Sequence, residues 1–166
     1  MRIYGITGWK DQGKTTLVAR LVERFTASGL TVSTIKHAHH AFDVDQEGRD
    51  SWRHRQAGAH EVVLASRKRV AIMQELRGAP ERELDDLLAR ISTVDLVLVE
   101  GYKAAPHRKL EVYREPRPQP PLAPEMQSIR ALAGDPGQHA VNVPVLALDD
   151  VAGIAAFILN DAEAVR

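Results

Sequence analysis

Apolar positions along the chain alternate between strand-like runs and helical spacing. Ile3, Tyr4 and Ile6 form a strand-like opening. Leu17, Val18, Leu21, Val22 and Phe25 then recur at helical spacing with Arg20, Glu23 and Arg24 between them, which predicts a helix with one buried face, closed near Gly29. Thr31-Val32-Ser33-Thr34-Ile35-Lys36 is rich in β-branched residues and reads as a strand. Strand, loop, helix and strand make the opening βαβ unit of a parallel sheet. A polar stretch follows from His37 to about Ala59, with a short helix expected around Asp50 to Gln56. Its polarity suits a solvated face or a lining for ligands.

The second half keeps the same alternation. Glu61-Val62-Val63-Leu64-Ala65 and Val70-Ala71-Ile72-Met73 read as an antiparallel hairpin closed through Ser66-Arg67-Lys68-Arg69. Leu84, Leu87, Leu88 and Ile91 mark an amphipathic helix with Pro80 near its first turn. Asp95-Leu96-Val97-Leu98-Val99-Glu100-Gly101 has the uninterrupted apolar centre of a strand covered on both faces. Lys109 to Tyr113 reads as another short strand. Pro116, Pro118, Pro120, Pro121 and Pro124 make the next segment a loop without regular hydrogen bonding. Ile129 to Ala133 and Val145 to Leu148 supply the last strands, and Asp149 or Asp150 caps a final helix carrying Val151, Ile154, Ala155 and Ile158.

A chain of 166 residues buries a core as one domain without disulfides or a structural metal, and residues 1–166 are expected to form a single nucleotide-binding domain. Apolar residues at 44% and charged residues at 27% are ordinary for a soluble globular chain. Lys plus Arg and Asp plus Glu each number 22, so no net charge draws the chain to nucleic acid or an anionic membrane, and neither is expected as a partner. The absence of cysteine removes disulfides, thiolate metal sites and cysteine nucleophiles, and suits a reducing compartment. The chain enters a strand almost at once, with no charged leader and apolar signal core, and no apolar run is long enough to span a bilayer. A soluble, cytoplasmic protein is expected.

The most informative motif is Gly8-Trp9-Lys10-Asp11-Gln12-Gly13-Lys14-Thr15, which matches G-x-x-x-x-G-K-S/T between a strand and a helix. A polyphosphate needs successive main-chain N–H groups aimed into one concave loop, and glycines let the chain approach that closely. Lys14 would reach the terminal phosphates, Thr15 would offer its hydroxyl to Mg²⁺, and the helix that begins around Thr16 adds its positive end. A chance Gly-Lys-Thr at a helix start is the plain alternative. Trp9 is bulky for such a loop; covering the nucleotide or meeting a partner chain are the roles open to it.

Glu100 ends the buried strand on the side where open α/β sheets collect their ligands, so its carboxylate can hold Mg²⁺ directly or through water. A carboxylate merely ending a strand in solvent is the other reading. Asp43 and Asp45, in Ile35-Lys36-His37-Ala38-His39-His40-Ala41-Phe42-Asp43-Val44-Asp45, could complete the metal shell or position a water for attack on a γ-phosphate, or form a solvated turn. His37, His39 and His40 raise zinc, but no cysteine accompanies them and their spacing is not a closed tetrahedral set; hydrogen bonding to phosphates is the alternative. Arg67, Lys68 and Arg69 fit an exposed hairpin tip. Lys103, His107, Arg108 and Lys109 could reach an anionic substrate or line a solvated loop. Asp135, after Ala131-Leu132-Ala133-Gly134, lies where a carboxylate could accept from guanine N1–H and N2–H₂, although no Asn-Lys-x-Asp form accompanies it.

Taken together, Gly8 to Thr16, Thr34-Ile35-Lys36-His37-x-His39-His40-x-Phe42-Asp43-x-Asp45, Asp50-Ser51, Ala57-Gly58-Ala59 and Val99-Glu100-Gly101-Tyr102-Lys103 resemble the MobB family, the GTP-binding proteins of molybdopterin-guanine dinucleotide biosynthesis. The resemblance covers nearly the whole chain. It implies an α/β P-loop NTPase fold, a mostly parallel sheet flanked by helices with a small antiparallel β extension. It also implies a homodimer that binds GTP with Mg²⁺, hydrolyses it weakly and assists MobA, the guanylyltransferase that attaches GMP to molybdopterin. Carried over by position, Lys14 contacts the β and γ phosphates, Thr15 and Glu100 address Mg²⁺, and Asp43 or Asp45 fills the family's acidic position. One departure is Lys10-Asp11-Gln12 in place of the small Ser or Gly residues often found inside this loop, which bears on how tightly it closes. The competing readings are a small-molecule kinase or ATP-dependent ligase on the same fold, and a phosphate-binding scaffold without turnover.

Overall fold

Thirteen elements follow one another along the residues that the computed structural model describes, 1–38 and 42–165. In order they are β1 (Arg2–Thr7), α1 (Lys14–Ala27), β2 (Val32–Lys36), α2 (Asp50–Gln56), β3 (Glu61–Ala65), β4 (Val70–Gln74), α3 (Leu84–Leu88), β5 (Leu96–Glu100), β6 (Lys109–Arg114), β7 (Ile129–Asp135), β8 (Val145–Leu146), α4 (Val151–Asp161) and β9 (Glu163–Ala164). The chain divides into two compact units, one of Met1–His37 with Leu87–Arg166, the other of Ala38–Asp86.

The first unit is built on a seven-stranded sheet in the order β2-β5-β1-β6-β7-β8, with every neighbouring pair parallel. β9 adds antiparallel to Arg2 and Ile3 of β1, while β6 pairs only from Gly5 to Thr7. The strand order departs in both directions from β1, which places the chain's switch point at the loop after Thr7. Register then fixes what meets there: Ile6 aligns with Glu100, and Glu100 with Lys36. Three side-by-side strands therefore end together.

One face of the sheet carries the apolar core. Tyr4, Ile6, Leu98, Leu110, Val112, Ala131 and Ala133 pack with Leu17, Leu21 and Phe25 of α1 and with Ile154 and Ile158 of α4. The helical periodicity of α1 survives intact because its polar residues face out, and Gly29, at φ 87, follows its end. Asp150 caps α4 by accepting from the Gly153 N–H at 2.9 Å.

Alternation along β6 sends Lys109, Glu111 and Tyr113 away from that core, yet all three are buried. The expectation that His107 and Lys109 line an open basic loop is corrected here. Lys109 turns inward and its ammonium donates to the carbonyls of Ala105 and His107. His107 packs within a close approach that only a glycine at position 5 allows, since a Cβ there would lie 2.6 Å from the ring Nε2. Burial, and the neighbouring Lys109 charge, push the His107 imidazole down to about 4. Burial likewise lowers Lys109 to about 8, which leaves it charged at neutral pH.

In the second unit β3 and β4 pair antiparallel, Val63 opposite Ile72 and Ala65 opposite Val70. Ser66 closes the turn, its hydroxyl accepting from the N–H groups of Lys68 and Arg69. Two of the predicted elements differ in extent from the sequence pattern, and β9 is one that it does not predict. α3 is only five residues long: Ala79 and Pro80 lie in the irregular stretch before it, and beyond Leu88 the chain turns, the Arg90 N–H donating to the Leu87 carbonyl at 3.1 Å, so that Ile91 lies past its end. β8 stops at Leu146, where Ala147 to Asp150 make a turn, the Asp150 N–H donating to the Ala147 carbonyl at 3.1 Å.

The buried neutral imidazole makes stability depend on pH. The unfolded chain takes up a proton at His107 near pH 6.5 and the folded chain only near 4, so stability is lost as pH falls through that window. Urea unfolding from pH 7 to 4 should show roughly 2–3 kcal/mol more loss for the native chain than for His107→Gln. Parallel pH profiles for the two proteins would refute the assignment.

Candidate nucleotide-binding site

The loop after β1 turns on three left-handed residues: Gly8 at φ 132, Asp11 at φ 62 and Gly13 at φ 94. Aspartate tolerates that region better than most residues, which is how a non-glycine occupies the middle of the turn. Gly8 has no such latitude, since a Cβ would lie 2.3 Å from the Val112 carbonyl oxygen. Gly13 is the residue before α1, and no side chain caps the helix. The first N–H groups of α1 therefore stay available beside the loop, in the manner of a phosphate cradle.

The bulky interior is accommodated by tethers to the rest of the first unit. Gln12 is only 7% exposed, and its Oε1 accepts from the Arg114 N–H at 2.5 Å. The Lys10 carbonyl accepts from Arg117 Nη1 at 2.7 Å. Trp9 donates its indole N–H to the Pro120 carbonyl at 2.9 Å, and the Lys103 ammonium sits 4.3 Å from its ring centre. The proline-rich segment is thus irregular but tied down. Its Leu122 and Ala123 N–H groups both donate to the buried Glu111 carboxylate, and Tyr113 donates to the Gln119 carbonyl. Burial raises the Glu111 carboxyl, against the pull of those two N–H groups.

Lys14 folds over the loop and donates to the Trp9 carbonyl. Its ammonium lies below the ordinary lysine value, chiefly from burial, with Glu100 and Asp11 opposing and Lys103 and Arg117 adding to the shift. The Thr15 hydroxyl donates to Glu100 Oε1 at 2.7 Å. Lys36 Nζ lies 3.1 Å from Thr15 Oγ1 and 3.3 Å from Glu100 Oε1. The structure therefore brings Thr15 and Glu100 into direct contact and adds Lys36, which the motif reading did not single out. Lys36 lies within the Thr34 to Asp45 segment that carries the resemblance, but no role attaches to it there. Oxygen atoms of a hydroxyl and a carboxylate side by side are hard donors that fit Mg²⁺. Among the described residues no group of three or more His, Asp or Glu is placed to hold a metal alone.

A cavity of about 490 Å³ opens beside the loop, with Gly13, Thr16, Arg20, Arg114, Asp135 and Asp149 in its wall. That volume falls in the range of small-molecule sites. Asp135 enters it at the end of β7, with one carboxylate oxygen accepting from the Gly137 N–H at 2.8 Å. Arg20 and Arg114 escaped the motif reading because no local pattern marks them, and Asp149 reads there only as an alternative cap of the last helix.

Asp43 and Asp45 belong to the second unit, where they converge on Arg55. Its guanidinium meets Asp43 at 2.6 Å, Asp45 at 3.1 Å and Glu75 at 2.9 Å, while Ser51 donates to Asp45 at 2.8 Å. The Asp45 N–H and then Arg55 hold the Asp43 carboxyl below its usual range. His37 stacks at a tilt on Tyr102, ring centres 4.9 Å apart, whereas His39 and His40 lie outside the described residues.

Comparison with known proteins gives a consistent set of relatives. A family model, MobB, Molybdopterin guanine dinucleotide synthesis protein B, matches residues 3–135. A molybdopterin-guanine dinucleotide biosynthesis adapter protein of Haemophilus influenzae is 37% identical over 161 residues, 95% of this chain and 88% of its own. Its namesake in Escherichia coli is 35% identical over 163 residues, 95% of this chain and 91% of its own. A solved molybdopterin-guanine biosynthesis protein B superposes with a TM-score of 0.71 at 27% identity, covering 95% of this chain and 98% of that one.

The contrast between two glycines tests the loop geometry. Gly8→Ala meets both an unfavourable φ and the Val112 carbonyl, whereas Gly29→Ala, at φ 87, meets no atom within 4 Å. Denaturant unfolding should show a loss of about 1 kcal/mol for Gly29→Ala and upward of about 3 kcal/mol for Gly8→Ala. Equal losses would mean that the loop is not pressed against β6.

Proposed function

The chain belongs to the MobB family, and from that membership we propose that it is an adapter of molybdopterin-guanine dinucleotide biosynthesis that binds GTP with Mg²⁺. In this reading it turns GTP over slowly and assists the MobA guanylyltransferase that attaches GMP to molybdopterin. The observation that carries the reading is the 2.7 Å contact of Thr15 with Glu100 at the mouth of an uncapped helix. No chemistry of the apolar core calls for those two side chains to meet there. Main-chain N–H groups from Gly13 onward receive the phosphates, and Lys14 exchanges the Trp9 carbonyl for the terminal oxygens. Thr15 and Glu100 would hold Mg²⁺, which when bound neutralises charge on the β and γ phosphates. Asp135 accepts from the guanine edge within the neighbouring cavity.

Asp43 and Asp45 enter this reading as the acidic position that orients water. The Asp43 carboxylate, held below its usual range by the Asp45 N–H and then by Arg55, is a feeble base, which suits slow turnover. Among the described residues no helix is long and apolar enough to cross a membrane. The adapter is read as a cytoplasmic protein, acting as a homodimer through the β3–β4 hairpin. An isolated two-stranded sheet is marginal in water. This one leaves Val63 56%, Val70 63% and Ile72 63% exposed. Cross-strand register puts these three on one face.

Titration of the purified chain with GTP and ATP, with and without Mg²⁺, tests the nucleotide site. GTP should bind in preference to ATP. Lys14→Ala should weaken GTP by at least about tenfold. Glu100→Gln should leave metal-free binding close to native but remove the gain from Mg²⁺. Unaltered GTP affinity in Lys14→Ala would overturn the phosphate role, and rapid acceptor-dependent ATP consumption would favour a kinase. Association with the guanylyltransferase is read by co-purification.

The hairpin makes a separate prediction. Ile72→Asp places a charge on the exposed apolar face without touching the phosphate loop, so sedimentation should show a monomer that still binds GTP. A native chain that is monomeric at tens of micromolar would remove the homodimer from this reading.

A further inference from the structure

We propose that Arg114 is the nucleotide's α-phosphate ligand, a binding residue that joins the guanine end of the cavity to the phosphate loop. The inference rests on the GTP reading above and names a residue within it. Arg114 ends β6 and is the register partner of Asp135 on β7, so the cation and the proposed base-reading carboxylate stand on adjacent strand ends. The Arg114 side chain runs from beside Gly134, at the end of β7, to beside Gly13, at the start of α1. Its Cγ lies 3.5 Å from where a Cβ on Gly134 would sit, and its Nη2 lies 2.8 Å from where a Cβ on Gly13 would sit. Both positions are glycine, and both have positive φ, 130 at Gly134 and 94 at Gly13. At Gly134 it is the Tyr113 carbonyl oxygen, 1.9 Å from such a Cβ, that demands glycine, and the Arg114 stem only touches there; at Gly13 the missing Cβ gives the guanidinium its place.

The covalent order of a nucleoside triphosphate does the rest. If guanine meets Asp135 and the terminal phosphates meet Lys14, the α-phosphate falls between them. Arg114 presents its guanidinium over that interval, next to Gly13 and in the wall that also includes Thr16. The main chain of Arg114 is anchored independently, its N–H donating to Gln12 at 2.5 Å. Its side chain is exposed, and among the described residues no carboxylate forms an ion pair with it. A planar guanidinium offers paired donors to phosphate oxygens, which a lysine ammonium cannot reproduce.

The test compares GTP, GDP, GMP and guanosine on the full chain, by competition against a fluorescent GTP analogue, for native protein, Arg114→Ala and Arg114→Lys. Because the Arg114 side chain is exposed and its N–H remains, both variants should keep the native melting temperature. Arg114→Ala should weaken GTP, GDP and GMP by a similar factor, roughly ten- to a hundredfold, and leave guanosine unchanged. Arg114→Lys should recover part of the loss. A loss for GTP with none for GMP would move the contact to the terminal phosphates, and an equal loss for guanosine would move it to the base or ribose; either overturns the proposal. If the native chain binds GTP and Arg114→Ala binds it equally well, this assignment alone fails. If the native chain binds no guanine nucleotide, the function proposed above fails with it.

Discussion

The parallel register around β1 is the constraint on which the site depends. Ile6 opposite Glu100, and Glu100 opposite Lys36, oblige three strands to end at one level. The loop that leaves Thr7 must therefore pass over Glu100, and the helix that follows sets Thr15 within 2.7 Å of it. Shifting one strand by a residue would turn Glu100 to the other face of the sheet and separate the pair. The burial of Val97, Leu98 and Val99 guards against that slip at its end, because a shift inward would carry the Glu100 carboxylate into a place now filled by an apolar side chain. The apolar run of β5 thus contributes to chemistry without bearing any.

A second constraint acts from the opposite direction. Gly8 must lie against the Val112 carbonyl, so β6 is both the neighbour of β1 and the floor of the loop. β6 is also where polar groups go underground. Glu111 is buried and spends its lone pairs on two N–H groups of the proline-rich segment, which lacks regular hydrogen bonds of its own. That segment returns the support through Arg117 and Pro120, which hold the Lys10 carbonyl and the Trp9 indole. A buried carboxylate with charge-assisted partners is costly to leave unpaired, so the loop wall is expected to be rigid where its prolines predict only a loop without regular hydrogen bonding.

Much of this was legible in the sequence where the signal is local. The spacing of Leu17, Leu21 and Phe25 and the β-branched Thr31 to Lys36 each specify an element by their own residues, and both appear, as α1 and β2. The hairpin was equally plain, because two apolar runs flank four polar residues. What stayed hidden depends on distant partners. Lys109 looks like a solvent-facing cation in a basic stretch, and only the two carbonyls it reaches make burial tolerable. β9 is two residues long and exists because β1 leaves Arg2 and Ile3 unpaired by β6. Lys36 and Arg114 sit at strand ends, where strand patterning says nothing about the side chains they will meet. The short α3 shows the opposite error, a helical pattern that continues to Ile91 where the chain already turns after Leu88.

The non-glycine interior of the phosphate loop follows from the same logic. A loop of small residues closes on itself and needs little from its surroundings. Here Asp11 takes the left-handed turn, and the longer neighbours are put to use: Gln12 inward to Arg114, Lys10 to Arg117 through its carbonyl, Trp9 to Pro120. The loop's shape is therefore distributed over β6 and the segment beyond it, not stored in the motif. Substituting small residues at 10 to 12 would restore the common pattern and remove the Gln12 bond that ties the loop to Arg114. Of the uncommon residues, Gln12 is the one whose side chain couples the proposed phosphate loop to the wall of the neighbouring cavity.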